Sequence, residues 1–540
     1  MLNSGESLRE QAKAAQERYD SQIVAAEVNH TIHDLQDPVP SGKHLEFVTL
    51  DSKYGWEIYR RSVIFLLINA VHDLDPEAEV ISQFTANKGL FCTVEKPGLK
   101  LDALMTERIA ARMREIVQEN RPIEKIRMTR EEAVQLFKRT QQIEKANLIA
   151  GLRRPMVSVY RCGSYYDYLY GAMLGSTGSL GRFALDFFEP GILLRTPDVT
   201  TNGNVRELLP QPKFSRILAL SEEWAKILDC SYIPDLNRAS RDGRIDDIIR
   251  VSEALQEKLI ARIADHIFRN RRKLRLILIA GPSSSGKTSF AQRLRVQMMV
   301  MGLRPVSISL DNYFKNRKDT PHNEKGEYDY ENLGALDTDL FNEDMQALLS
   351  GREAQMPVYN FLTGEREWSG EKLMITEDQP IIVEGIHGLN EALTSKIPRE
   401  NKYKIYVSAL TPLNIDAHNR IPTTDARLLR RLVRDFQFRG SRALKTLRQW
   451  PDVRAGEEKN IFPFQEEADY MFNSSMIYEI GVLRKYAVPL LEQISPDVPE
   501  HVEAQRLLQL CEYVDPITVE DEIPNNSLLR EFIGKSVFFK

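Results

Sequence analysis

Residues 281–288 read G-P-S-S-S-G-K-T, and no other stretch of the chain constrains its fold as much. An apolar run, L-R-L-I-L-I-A at 274–280, leads into them, and a helix-forming run, S-F-A-Q-R-L-R at 289–295, leads out. A glycine-rich turn between strand and helix lets the backbone wrap closely, so that amide N–H groups converge on an anion. The first turn of the helix adds the positive end of its dipole. In the pattern G-x-x-x-x-G-K-[ST] the lysine reaches the β- and γ-phosphates and the hydroxyl faces Mg²⁺. Gly281, Pro282, Ser283, Ser284, Ser285, Gly286, Lys287 and Thr288 are therefore expected to bind ATP, with Thr288 on the metal.

The surroundings of this loop set the fold class. Apolar runs at 274–280, 305–310, 380–384 and 404–408 alternate with helical segments, the pattern of a parallel sheet covered on both faces. Residues 273–540 thus read as one α/β domain of the P-loop NTPase type. Upstream, Ile248, Val251, Leu255, Leu259, Ile263 and Ile267 recur at helical spacing, so 206–272 reads as a helical linker with one apolar stripe. Residues 54–205 are mixed α+β, with helices expected over 59–73 and 130–148 and a Pro/Thr/Asn/Gly-rich boundary loop over 191–204. Residues 1–53 carry short apolar runs at 23–26 and 45–48 between turn signals, a small β-rich module.

At 540 residues the chain exceeds what one core supports, so several domains are expected. Its net charge of −5 argues against nucleic acid as a partner. Cys92, Cys162, Cys230 and Cys511 show no C-x-x-C pairing, which suits a reducing cytoplasm. The first twenty residues lack an apolar signal core, and the longest apolar stretch, 63–71, falls well short of the ~20 residues that span a bilayer. The expected protein is cytoplasmic and makes no membrane contact; its oligomeric state stays open, a homo-oligomer included.

Phosphoryl transfer is the chemistry best matched to the remaining polar groups. Guanine-binding switches need N-K-x-D, whereas Asn87-Lys88-Gly89-Leu90 lacks the acid. The strand before Glu384 ends in that single carboxylate, enough to hold the Mg²⁺ shell without arming a hydrolytic water. Asp311 ends another strand at the carboxyl edge of the sheet, where such folds bind ligands, and is the candidate base for an acceptor hydroxyl. Then comes an arginine-dense helix, with Arg427, Arg430, Arg431 and Arg434 on one expected face and Arg439 beyond. A nucleic-acid patch and a plain solvated face are alternatives there. A mobile helical lid closing guanidinium groups over the phosphoryl is the reading adopted.

These residues resemble the uridine kinase and phosphoribulokinase family over about half the chain. Beside the ATP loop, Asp311-Asn312-Tyr313-Phe314 is similar to the family's D-S-F-Y element and Val383-Glu384-Gly385-Ile386 to its F-E-G-I. Tyr359-Asn360-Phe361 resembles the Y-D-F of the base pocket, and Asp425-Ala426-Arg427 through Arg439-Gly440 resembles the lid. The resemblance implies Asp311, Lys287 and Arg434 as catalytic residues. It implies Tyr313, Asp329, Tyr359, Arg366, Arg431 and Arg439 as contacts to a nucleoside, uridine first, and Thr288 and Glu384 as metal-side groups. Gly364 stands where the familiar members carry a base-contacting histidine, so the base pocket is expected to be built differently.

The front half resembles the start of threonyl-tRNA synthetase, a TGS-like module followed by an editing-like domain. Residues 167–178, D-Y-L-Y-G-A-M-L-G-S-T-G, are similar to the pattern D-x-C-x-G-x-H-x-P-S-T-G, with Leu169 and Met173 in the cysteine and histidine positions. Arg61 and Phe65 correspond to an upstream H-x-x-x-H pair, so the metal-type groups are gone and editing is not expected. The expected activity is ATP-dependent phosphorylation of a nucleoside 5′-hydroxyl. Two alternatives are kept: another small hydroxyl acceptor, and an ATP-sensing, RNA-associated regulator.

Overall fold

The strand Leu276–Ala280 is five consecutive buried apolar residues, and such a strand can only be central. In the computed structural model it lies third in a five-stranded parallel sheet whose order is 306–309, 381–384, 276–280, 402–408, 470–473. The structure describes residues 7–40, 44–86, 89–209, 211–323 and 326–539. Residues 1–6 of the polar N-terminal stretch and the Asn87-Lys88 dipeptide lie outside that set.

All four expected strands fall within two residues of their expected bounds. One of them, Lys402–Ser408, begins two residues earlier than expected because two lysines are buried in it. Lys402 and Lys404, 2% and 0% exposed, are held by the two carboxylate oxygens of Glu391 at 2.5 and 2.6 Å and by the carbonyls of Thr394 and Leu389. Charge-assisted bonds of this kind let an ammonium stay inside. The edge strand Tyr470–Asn473 was not expected; four residues without a β-branched side chain give no periodic signal.

Ahead of the sheet, Pro212–Ile227, Ile233–Arg241 and Ile245–Arg269 are three helices, where the sequence reads as one helical stretch. Part of the expected stripe is built into the main core: Ile248, Ile263 and Ile267 pack in the same cluster as Ile277, Phe290 and Leu432 with Leu259 against them, whereas Val251 is exposed. Ala133, Phe137, Ile149 and Val157, from the front half, belong to that cluster too.

A separate cluster lies farther forward, around the helix Lys53–Leu74, which Ser52 caps by accepting from the Gly55 N–H. A three-stranded sheet, 32–34 beside 23–28 beside 45–49, flanks that helix. Two expectations fail here. The stretch 130–148 is two helices, Arg130–Arg139 and Ile143–Ala150, broken where Gln141 takes φ +61°. The boundary loop 191–204 begins with a strand, Gly191–Arg195, because I-L-L inside it is buried between two neighbouring strands. No helix among the described residues is long and apolar enough to cross a membrane.

Candidate active site

The loop 281–286 leaves the central strand and opens the helix Lys287–Val300. At Gly281 a Cβ would stand 1.9 Å from the Val407 carbonyl oxygen of the neighbouring strand, so only glycine fits there. Ser284 and Gly286 take φ of +59° and +80°, and the alternation of hand turns successive amides toward one concave side. Lys287 lies over the loop, its Nζ donating to the carbonyls of Gly281 (2.9 Å) and Pro282 (3.1 Å). Burial lowers its pKa, while Glu384, Glu531 and Glu457 pull it back up.

Two carboxylates approach from the same edge of the sheet. Thr288 Oγ1 donates to Glu384 Oε1 at 2.7 Å, joining the two groups expected on the metal side. Burial raises the Glu384 pKa, with Lys287 and the Thr288 hydrogen bond opposing. Asp311, in the short turn Leu310–Tyr313 after the strand Val306–Ser309, keeps its carboxylate accessible to solvent. It sits in a recess where desolvation pushes its pKa up and Lys287 and Arg439 draw it down. A lysine, a threonine–glutamate pair and a carboxylate without a hydrogen-bond partner among the described residues thus gather at the carboxyl ends of three adjacent strands.

The arginine helix, Thr423–Arg439, is not the mobile lid expected from its charge run. Leu428, Leu429, Leu432 and Val433 are buried in the main core, so this helix cannot swing away without opening that core. Arg427 is 1% exposed and pairs bidentately with Glu457 at 2.5 and 2.8 Å; Arg430 is fully buried against Glu479. Both also donate to the phosphate loop, Arg427 to the Ser283 carbonyl (3.1 Å) and Arg430 to that of Ser284 (3.3 Å). Arg431, expected on the substrate, donates instead to Ser283 Oγ at 2.8 Å. The helix is a brace that holds the loop's carbonyls outward. Arg431, Arg434 and Arg439 share the buried Asp435 carboxylate at 3.3, 2.8 and 3.6 Å, and of the three only Arg439 is exposed.

On the acceptor side the expectations divide. Tyr313 does not line a pocket: it is fully buried, its ring edge-on to Phe341 and its hydroxyl 3.1 Å from Asp344. An aromatic residue after D-N is recruited to the core because the turn points it back under the sheet. Arg366 is spent on Asp337 at 2.8 Å. Asp329 is half-buried in the loop that also holds Tyr330 and Glu331. Tyr359 is 5% exposed and lies edge-on to Phe314 and Phe361, at 5.4 and 5.1 Å between ring centres. Four residues near the site escaped the sequence reading. Glu457 accepts from the Ser283 N–H (2.8 Å), Glu531 accepts from the Ser289 N–H and hydroxyl (3.1 and 2.8 Å), Arg317 packs on Gly364, and His387 is buried beside Asp329 and Glu331. Glu457 and Glu531 come from distant segments, whereas Arg317 and His387 follow Asp311 and Glu384 by six and three residues but belong to neither motif.

In the front half, Phe65, Leu169 and Met173 are buried core residues, and the Arg61 guanidinium lies over Gly171, donating to the Ala172 carbonyl at 2.6 Å. Among the described residues no group of three or more His, Cys, Asp or Glu gathers as a metal site.

Different parts of the chain are similar to different known proteins. Residues 276–480 match the family described as Phosphoribulokinase / Uridine kinase. The front of the chain is similar to threonine–tRNA ligases: that of Syntrophotalea carbinolica is 34% identical over 165 residues, 30% of this chain and 26% of the ligase. That of Acidithiobacillus ferrooxidans is 34% identical over 224 residues, 41% of this chain and 32% of the ligase. The chain therefore spans only about a third or less of those relatives. Among solved structures, that of a possible uridine kinase from Bacillus stearothermophilus is 15% identical and covers 37% of this chain and 89% of its own, with a TM-score of 0.25. Residues 276–480 are thus a domain of the phosphoribulokinase/uridine kinase family, carried behind a front half similar to threonine–tRNA ligases.

Proposed function

We propose that this chain transfers the γ-phosphoryl of ATP to the 5′-hydroxyl of a nucleoside, uridine first, giving the nucleoside monophosphate and ADP. The observation that carries the reading is the carboxylate of Asp311 at the strand edge beside the phosphate loop, within electrostatic reach of Lys287. The converging amides of 281–288 receive the triphosphate, and Lys287 exchanges the loop carbonyls for phosphate oxygens. Asp311 accepts the proton as the acceptor oxygen bonds to the γ-phosphorus and the bond to the ADP oxygen breaks. Arg434 and Arg439 would offset charge on the transferring group; an arginine in that role is worth roughly 10³–10⁵ in rate.

Thr288 Oγ1 and Glu384 are hard oxygen donors on adjacent elements, and so small a set suits a cation that keeps waters and takes further oxygens from phosphate. They would hold Mg²⁺, which when bound neutralises charge on the β- and γ-phosphates. Asp329 is assigned to the ribose hydroxyls and Tyr359 to the base.

The test is ADP release with Mg-ATP across a panel of nucleosides and small alcohols, run with wild type and Asp311→Asn. Uridine should support turnover. Asp311→Asn should bind ATP as wild type does and lose on the order of 10²–10⁴ in turnover. Undiminished turnover in Asp311→Asn, or no response to any nucleoside, removes the reading.

A further inference from the structure

The loop that joins Asp311 to Asp329 carries one cation in an unusual setting. Arg317 is anchored through its main-chain N–H to the Gly364 carbonyl at 2.7 Å. Its guanidinium lies directly over Gly364: a Cβ there would stand 2.6 Å from Cζ and Nε, so any other residue would evict the arginine. Two corners of the fork are fixed, Nε donating to the Tyr330 hydroxyl and Nη2 to the Phe361 carbonyl, both at 3.2 Å. Nη1 has no partner among the described residues, and no carboxylate among them pairs with Arg317.

Aromatic rings surround this group. Phe314 packs edge-on against Tyr330, Tyr359 and Phe361, with ring centres 5.6, 5.4 and 6.3 Å apart. The Phe361 ring nevertheless remains 61% exposed, and Tyr328, 6.3 Å from Tyr330, remains 43% exposed. Exposed rings beside a pinned, planar, uncompensated cation suit a flat heterocycle that stacks while an edge atom meets the fork.

A guanidinium has five N–H donors and no acceptor, and it keeps its charge at any working pH. A ring carbonyl or ring anion satisfies Nη1; an exocyclic amino group turned toward it sets donor against donor. We infer that Arg317 is a specificity-determining residue that meets the 4-position edge of the acceptor ring and selects a carbonyl oxygen there over an amino group, uracil-type rings over cytosine-type ones. The inference rests on the nucleoside kinase reading and names which bases that reading admits. It also gives Gly364 a purpose, since the bare backbone there is what makes room for the fork.

The experiment measures kcat/KM for uridine and for cytidine, with equilibrium binding of each nucleoside in the absence of ATP, in wild type, Arg317→Gln and Arg317→Ala. Wild type should favour uridine by about tenfold or more, the usual order for one hydrogen bond to a charged donor. Arg317→Gln offers a donor and an acceptor on one amide and should bring the ratio close to one, in binding as in turnover, with the KM for ATP within about twofold. Arg317→Ala should weaken uridine and leave cytidine little changed. A lowered Tm with an unchanged uridine-to-cytidine ratio would show Arg317 to be only a clamp on the 360–365 turn and would overturn the inference. So would a wild type indifferent to the two bases. Failure of every nucleoside to support turnover overturns the kinase reading and this inference together, whereas turnover with a ratio blind to Arg317 overturns this inference alone.

Discussion

His387 is 2% exposed, and neither ring nitrogen makes a hydrogen bond of good geometry among the described residues. Burial pushes its pKa down to about 4, against the pull of the Glu331 main chain and the Asp329 carboxylate. The ring is therefore neutral in the folded protein near pH 7, whereas in the unfolded chain it titrates at about 6.5. Below pH 6.5 the unfolded state binds a proton that the folded state refuses, so stability is complete above that point and falls as pH drops toward 4. The full effect is on the order of 3 kcal/mol. His387→Gln removes the titrating group, so the Tm difference between wild type and variant should shift in the variant's favour from pH 7 to pH 4.5. Parallel Tm curves would show that His387 titrates alike in both states. Individual residues were legible where chemistry demands a type at a spacing: Lys287, Thr288, Glu384 and Asp311 stand at the ends of the elements expected to carry them. Tyr313 was not, because which way a side chain leaves a turn depends on what packs beneath it.

At the scale of the element, the helix Thr423–Arg439 shows what spacing leaves out. Three- and four-residue intervals put arginines on neighbouring faces, but the side that faces the core was decided by Glu457 and Glu479, dozens of positions later. A buried guanidinium with a matched carboxylate reads in sequence like any solvated charge. The short C-terminal helix Arg530–Ile533 makes the same point with a functional consequence. Its Glu531 carboxylate occupies the Ser289 N–H and hydroxyl, first-turn donors of the helix that opens the phosphate loop. An incoming triphosphate competes for those donors with an anion already in place. Glu531→Gln keeps an acceptor for the helix turn but gives up the charge. ATP should then bind about two- to fivefold tighter, the worth of one charge at a helix N-terminus, while Tm falls slightly. Titration of nucleotide binding in the two proteins checks this, and unchanged or weaker binding would place Glu531 outside the path of the phosphates.

Across the whole molecule, front and back halves meet through a buried polar cluster. Lys145 Nζ lies 2.6 Å from Asp167 and 3.3 Å from Asp416, and Asp167 also holds His418 Nδ1 at 2.7 Å. Asp416 accepts from the N–H groups of His418 and Asn419 at 2.8 and 2.9 Å, and the Asn419 amide reaches the Tyr168 carbonyl and the Tyr170 N–H. Burial alone would raise the Asp167 pKa; His418 and Lys145 outweigh it and hold the carboxyl low. Every group comes either from the front half or from the loop that feeds the arginine helix, so the cluster ties the braced phosphate loop to the synthetase-like region. Lys145→Met leaves two buried carboxylates facing each other without their cation, a loss of about 3–5 kcal/mol at the junction. The whole chain should then lose cooperativity along that seam. In calorimetry, wild type should melt with its halves coupled, and a bound nucleotide should raise the entire transition. Lys145→Met should split the melt in two, with the nucleotide raising only the part that contains residues 276–480 and the front half melting at a temperature indifferent to ligand. A variant that keeps one transition, shifted by nucleotide as in wild type, would mean that the apolar contacts of 133–157 with the main core, and not this cluster, join the halves.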